Sequence, residues 1–344
     1  KKIFLWIALI GLVIGGYFTY YIYSAMFVDN TAFNNEEAYI YIPSNATYAD
    51  VRADLEPLLK NINSFDALAN RKKYTSNVKA GKYIIKKGMT NNDIINTIRS
   101  KNVPIRVSFN NQHSLEDLAG RIANQIEADS LSIINAMRDQ SFQEQNGFKE
   151  ATALGMYLPN SYEFFWNTSG EQFVKRMLKE YNNYWNEDRL AKANAIGLSR
   201  DEVMALASIV YEESKQKSEQ PRIAGVYMNR LKNRWTLDAD PTLKFAAYKL
   251  PQYKNTVIKR VLNVHKEIVS PYNTYKNQGL PPGLIAMPDL SAIDAVLNYE
   301  KHGYFFFVVD VSKPGFHKFS KSIEQHNQYA REYHRYLSQQ GIRR

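Results

Sequence analysis

LSRDEVMALASIVYEE, residues 198–213, predicts a helix around which the fold can be placed. Ser199 with Glu202 three residues on is a capping box, each side chain positioned to satisfy a backbone N–H the helix start leaves free. Val203, Leu206, Ala207 and Val210 then recur at i, i+3, i+4 and i+7, an apolar stripe facing a core. At about 100° per residue, Glu213 falls close to Leu206 inside that stripe, while Glu212 falls on the opposite, solvent side. Burial raises a carboxyl pKa, and a raised pKa is what a general acid needs at neutral pH. A Glu at a frayed helix end, reaching water or Lys217, satisfies the same spacing.

Downstream, Gln220-Pro221 opens a second amphipathic helix with Ile223, Val226, Tyr227 and Leu231, ending near Asn233. Leu237-Asp238-Ala239-Asp240-Pro241-Thr242 reads as a turn with two carboxylates. SPYNTY (270–275) and GLPPG (279–283) form a long polar and aromatic loop rich in donors. Tyr304–Asp310 (YFFFVVD) reads as a buried strand, followed by His317-Lys-Phe-Ser320 and a closing helix carrying His326-Asn327. Upstream, a short alternating strand, a cap and a helix recur three times. Tyr39–Ile42 precedes Thr47-x-x-Asp50 and a face of Val51, Leu55, Leu58 and Leu59. Tyr83–Ile85 precedes Thr90-x-x-Asp93 and Ile94, Ile95, Ile98. Ile105–Phe109 precedes Ser114-x-x-Asp117 and Leu118, Ile122, Ile126. Residues 127–198 read as mostly helical, interrupted by GMYLPNSYEFFW (155–166), whose aromatics suit a core or a shelf for sugar rings. The fold class is therefore α+β.

From Ile3 to Met26 there are twenty-four residues without a charge, more than the roughly 20 a helix needs to cross the hydrocarbon core. Tyr17, Tyr20, Tyr21 and Tyr23 cluster at its distal end, and Lys1 and Lys2 precede it, whereas no Lys or Arg follows until Arg52. A cleaved signal peptide is the alternative, but the run is long for one and Tyr23 stands where a small residue is wanted. The expectation is a single-pass anchor in a bacterial inner (plasma) membrane, with a cytoplasmic N-terminus and an extracytoplasmic or periplasmic body. Val28–Ala38 reads as a polar tether. The 44 Lys+Arg exceed the 34 Asp+Glu by +10, but no basic run or nucleic-acid motif accompanies the excess, so no nucleic-acid partner is expected. Zero cysteines exclude disulfides, thiolate metal sites and a cysteine nucleophile.

Ala207-Ser-Ile-Val210 with Glu213 three residues on, Asn229-Arg-Leu231, Asp240-Pro-Thr242, SPYNTY, GLPPG, and His317 followed by His326-Asn327 stand in one order. That order resembles the endolytic murein transglycosylases, the YceG-like family. Lys79-Ala-Gly81-Lys-Tyr83 is similar to the AG-x-Y of that family's LysM-like subdomain. The resemblance implies a transmembrane segment at 1–27, a tether at 28–38, a small LysM-like α+β subdomain at 39–104 and a larger mixed α+β catalytic domain at 105–344. It departs at three acidic positions, occupied here by Leu154, Asn160 and Tyr211.

What the resemblance implies for chemistry is cleavage of MurNAc–GlcNAc bonds in nascent glycan strands, ending in 1,6-anhydro sugars, with Glu213 as acid and then base. No cofactor or metal is implied. Asp240, Thr242, Tyr272, Asn273, Tyr275, Asn229 and His317 are the candidates for holding the glycan; a lone histidine such as His317 also serves structural roles. Peptidoglycan glycan strands are the expected partner, and cell-wall synthases a further one. Two other readings are a hydrolase with Asp240 as base or nucleophile, and a non-catalytic wall-binding or scaffold protein.

Overall fold

The computed structural model describes residues 2–254, 256–258 and 260–339. Lys1, one of the charges in the expected membrane asymmetry, lies outside the described residues, as do 340–344 at the end of the region assigned as catalytic. The chain divides into two units. Lys1–Val107, Ala123–Asp129 and Ser161–Ser169 form the first, and Ser108–Ile122, Ser130–Asn160 and Gly170–Arg344 the second.

In the first unit, α1 (Lys2–Phe27) leads into β1 (Glu37–Ile42), α2 (Tyr48–Leu55), α3 (Ile62–Arg71), β2 (Gly81–Lys86) and α4 (Asn91–Ser100). β1 and β2 pair antiparallel with Ile40 opposite Tyr83. Their alternation turns Ile40, Ile42, Tyr83 and Ile85 to one face, where Val51, Leu55, Phe65, Leu68, Ile94 and Ile98 close the core. Thr47 and Thr90 make the expected capping boxes with Asp50 and Asp93. α2 stops sooner than its apolar spacing suggested. Pro57 lacks an N–H, so Leu58 lies in a 3-10 turn and Leu59 beyond it. β3 (Pro104–Phe109) pairs with β4 (Asn160–Phe165) in a second two-stranded sheet.

The stretch read as a tether is docked in the structure. Asn30 and Thr31 are buried. The Asn30 main-chain N–H donates to the Met89 carbonyl, and its amide donates to the Asn61 carbonyl at 2.9 Å and to Asn91 Oδ1 at 2.6 Å. Asn91 in turn donates to the Ala25 carbonyl in the last turn of α1 at 2.9 Å. Buried amides cost free energy unless paired, and the docked path is what pairs these two. Phe4–Phe27 is long and apolar enough to cross a membrane, and it carries Phe4, Leu5, Leu12 and Phe18 exposed.

The second unit holds α5 (Leu115–Ala123), α6 (Ser130–Met137), α7 (Gln140–Gln145), α8 (Gly170–Tyr184), α9 (Glu187–Ala195), α10 (Arg200–Glu213), α11 (Gln220–Lys232), α12 (Asp240–Tyr248), α13 (Asn263–Lys266) and α14 (Leu290–Leu297). It ends with β5 (Phe306–Val309), β6 (His317–Ser320) and α15 (Ile323–Gln339). α10 is its axis, packed against α9, α11, α12 and α14. Every residue from Val203 to Val210 is buried, so the helix is enclosed all round, not on the one face its spacing indicated. β5 pairs antiparallel with β6, Phe307 opposite Phe319. It is a half-buried strand where a buried one was expected: Phe306, Phe307 and Val308 are each partly exposed and Val309 is exposed.

Candidate active site

Glu213 is the last residue of α10, where the enclosed stretch gives way to partly exposed side chains. The corner to α11 is fixed from inside. Gln220, fully buried, donates to the Ser214 carbonyl at 3.1 Å and accepts from Ser291 at 2.8 Å. That corner brings Tyr227, two turns into α11, back onto Glu213, and its hydroxyl donates to Oε1 at 2.6 Å. Glu212, expected on the solvent side, is also partly exposed and accepts instead from Lys215 at 2.9 Å. The two adjacent carboxylates thus differ in partner more than in exposure.

Desolvation pushes the Glu213 carboxyl up to about 7. The Tyr227 hydrogen bond opposes that shift, the negative charge of Asp240 adds to it, and His317 and Lys244 pull it down. With Oε1 engaged by Tyr227, Oε2 is the oxygen left to carry a transferable proton. Burial and the Glu213 carboxylate together raise the Tyr227 hydroxyl well above its usual range, keeping it a donor.

Asp240 begins α12, with Pro241 in the first turn. What read as a turn is therefore a helix start, a position that favours proline and a negative charge. The SPYNTY loop is fastened to that start through Thr274. Its side-chain oxygen accepts from the Ala239 N–H at 3.1 Å and shares a hydrogen bond with Thr242 at 2.8 Å. Its carbonyl accepts from the Asp238 N–H. This fastening lets the Tyr275 hydroxyl donate to Asp240 Oδ1 at 2.6 Å. Lys266 lies 4.7 Å over the Tyr275 ring. Asp240 is exposed and Tyr275 partly so.

The other residues singled out in the sequence are placed differently. Thr242 is fully buried between Ala239 and Thr274. Asn273, also fully buried, donates to the Lys266 and Ile268 carbonyls and accepts from the Tyr275 N–H. Asn229 donates to the carbonyls of His302 and Tyr304. The Thr242 hydroxyl and the Asn273 and Asn229 amide nitrogens are thus engaged by the chain itself. Tyr272 is buried with its ring 4.7 Å from that of Phe245. His317 sits on β6, its Nδ1 2.8 Å from Oε2 of the buried Glu219.

Sequence reasoning missed Tyr227, Thr274, Glu219 and Arg230 as site builders. Arg230 donates to the Phe305 carbonyl at 2.8 Å and the Leu237 carbonyl at 2.9 Å, holding the approach to α12. Thr274 and Arg230 lie inside motifs already noted, and Tyr227 on an apolar face already counted. Among the described residues no group of His, Asp and Glu is arranged to hold a metal. A cavity of 630 Å³ lined by Lys192, Asn229, Lys232, Tyr299 and His302 contains none of the residues around Glu213. Both ring nitrogens of its His302 are already engaged.

A carboxyl group poised near neutrality, backed by a tyrosine and faced by a second carboxylate, is built for proton transfer. The chain belongs to the YceG-like family, whose model matches residues 40–332. It is 29% identical, over 86% of its length and 84% of the relative's, to a Bacillus subtilis protein named endolytic murein transglycosylase. A Streptococcus pneumoniae protein of the same name is 26% identical, and this chain spans 59% of that longer protein. A crystal structure of a YceG-like protein from Listeria monocytogenes matches with a TM-score of 0.57 and 26% identity. It covers 86% of this chain and 99% of that one.

Proposed function

We propose that this chain is an endolytic murein transglycosylase in which Glu213 acts first as acid and then as base. The observation that carries the reading is the Glu213 carboxyl, held near 7 by desolvation with one oxygen fixed by Tyr227. A carboxyl at that pKa is protonated often enough at neutral pH to donate, and its conjugate base is strong enough to take a proton back. In the first half-step the Glu213 proton passes to the glycosidic oxygen as the MurNAc C1–O bond breaks. In the second, the carboxylate removes the proton of the MurNAc 6-hydroxyl as its oxygen bonds to C1. The products are a free GlcNAc 4-hydroxyl and a 1,6-anhydro end. No water enters, and Glu213 finishes in its starting state.

Asp240, exposed, and Tyr275, partly exposed, both acting on Glu213 electrostatically, are the side chains we assign to the sugar. Thr242 and Asn273 support the site by fastening the backbone that presents them, and Asn229 fastens the chain at His302 and Tyr304. Residues 39–104 are read as the LysM-like subdomain and α1 as a single-pass anchor with its N-terminus in the cytoplasm. The docked path of Asn30 would then hold the first unit at the outer membrane face, where nascent strands emerge. The test is mass spectrometry of glycan fragments released by the full chain in detergent. Ends lighter by one water than reducing sugars, and absent with Glu213→Gln, are expected. Reducing ends would replace the reading with hydrolysis, and no cleavage would replace it with a binding role.

A further inference from the structure

Glu219 closes the segment between α10 and α11, and it is buried. Both of its oxygens are directed at one residue. Oε1 accepts from the His317 main-chain N–H at 2.8 Å, and Oε2 lies 2.8 Å from His317 Nδ1. The Ser214 hydroxyl donates to Oε2 at the longer distance of 3.5 Å. The imidazole meets Phe307 edge-on with centroids 5.2 Å apart, and Phe307 meets Tyr227 in the same way at 5.9 Å. His317 is thus one ring removed from the tyrosine that holds Glu213. A carboxylate accepts and does not donate, so Nδ1 carries the hydrogen, and in the neutral ring Nε2, on the far edge, is then the free lone pair.

We propose that Glu219 is a positioning residue. It fixes His317 in the Nδ1–H form so that Nε2 accepts a hydrogen bond from a hydroxyl or acetamido N–H of the sugar held at Glu213. This role rests on the transglycosylase reading of the site. Replacing Glu219 by Gln makes a specific conflict. One of the two Gln side-chain atoms must be an NH₂, and it faces either the main-chain N–H or Nδ1. The main chain cannot change its hydrogen, but the ring can. The oxygen therefore stays with the main chain, Nδ1 becomes an acceptor, and Nε2 gains the hydrogen that spoils it as an acceptor.

The experiment uses the full chain in detergent with ¹⁵N-labelled histidine, the His317 signals being assigned by their loss in His317→Asn. Asn keeps a donor where Nδ1 stood and removes Nε2. The Nδ1–H tautomer is expected in the wild type and the Nε2–H tautomer in Glu219→Gln. On isolated glycan strands, Glu219→Gln and His317→Asn should each lower kcat/KM about tenfold, mostly through KM, as loss of one neutral hydrogen bond does. Adding Glu219→Gln to His317→Asn should cost nothing more. An Nε2–H tautomer or a doubly protonated ring in the wild type, or an equal further loss in the double variant, overturns the proposal. Should Glu219→Gln fail to fold, the wild-type tautomer and the KM of His317→Asn decide it. The tautomer is read without turnover, so its outcome is separate from any failure of the transglycosylase reading.

Discussion

Replacing Glu213 by Gln should make the protein more stable above neutral pH while abolishing cleavage. The folded chain holds the Glu213 proton up to about 7, against 4.5 for an unperturbed group. Between those values the folded state binds more protons than the unfolded one, so this carboxyl makes stability fall as pH rises through the window. Below about 4.5 the group is protonated in both states and contributes nothing of this kind. Above about 7 the cost is complete, with a ceiling of about 3 kcal/mol at 1.36 kcal/mol per pKa unit. Glu213 keeps some contact with solvent, which lowers the expected figure to about 2 kcal/mol. Gln keeps an oxygen for the Tyr227 hydroxyl and carries no charge, so it escapes the cost.

The assay is thermal unfolding of both chains at pH 4.5 and pH 8, following the transition of the second unit. Comparing the two chains at each pH cancels every other carboxylate. The Tm difference, Gln minus Glu, should grow by roughly 4–8 °C between the two pH values. A difference that does not change with pH would mean the Glu213 carboxyl is not held near neutrality. The acid role would then lose its physical basis, whatever the activity of the variant.

Tyr227→Phe removes a hydrogen bond that favours the Glu213 carboxylate, so the carboxyl pKa should rise further and the alkaline limb of the pH–rate profile should move to higher pH. An unmoved limb would show that Tyr227 has no part in setting it. Asn91→Ala removes a buried amide shared by Ala25, Asn30 and Ser64, and should cost about 1–3 kcal/mol in the first unit. Faster amide exchange at Asn30 is its signature, and unchanged exchange would argue that the segment after α1 is held by something else. Gly283→Ala places a Cβ against the Ala151 carbonyl, beside the Leu284 N–H bond to that same oxygen, and should cost about 1–3 kcal/mol in the second unit. An unchanged Tm would show that the GLPPG glycine is not there for close packing.

What the sequence made legible was local. Capping boxes at Thr47, Thr90 and Ser199 depend on side chains three residues apart, and each formed where its spacing placed it. α3 escaped notice because its cap is Asn61, a residue that suits turns equally well. Periodicity reports which residues share a face but not how many neighbours a helix will have, so α10 read as amphipathic although four helices enclose it. The asparagines show the same limit in chemical form. Asn30 and Asn273 sit in polar stretches and Asn229 in an amphipathic helix, and all three look equally free to meet solvent or sugar. Each is instead matched to carbonyls that the fold leaves unpaired. Which carbonyls those are is decided by tertiary structure, and a linear reading has no access to it. Helical spacing alone nominates Glu213, through its azimuth beside Leu206, yet it is Tyr227, fourteen residues further on, that distinguishes it from Glu212. A pattern of residue types can therefore nominate an acid, but the partner that tunes it has to come from the turn between two helices. Here that turn is held by the buried amide of Gln220, at a position where the sequence suggested only the start of a helix.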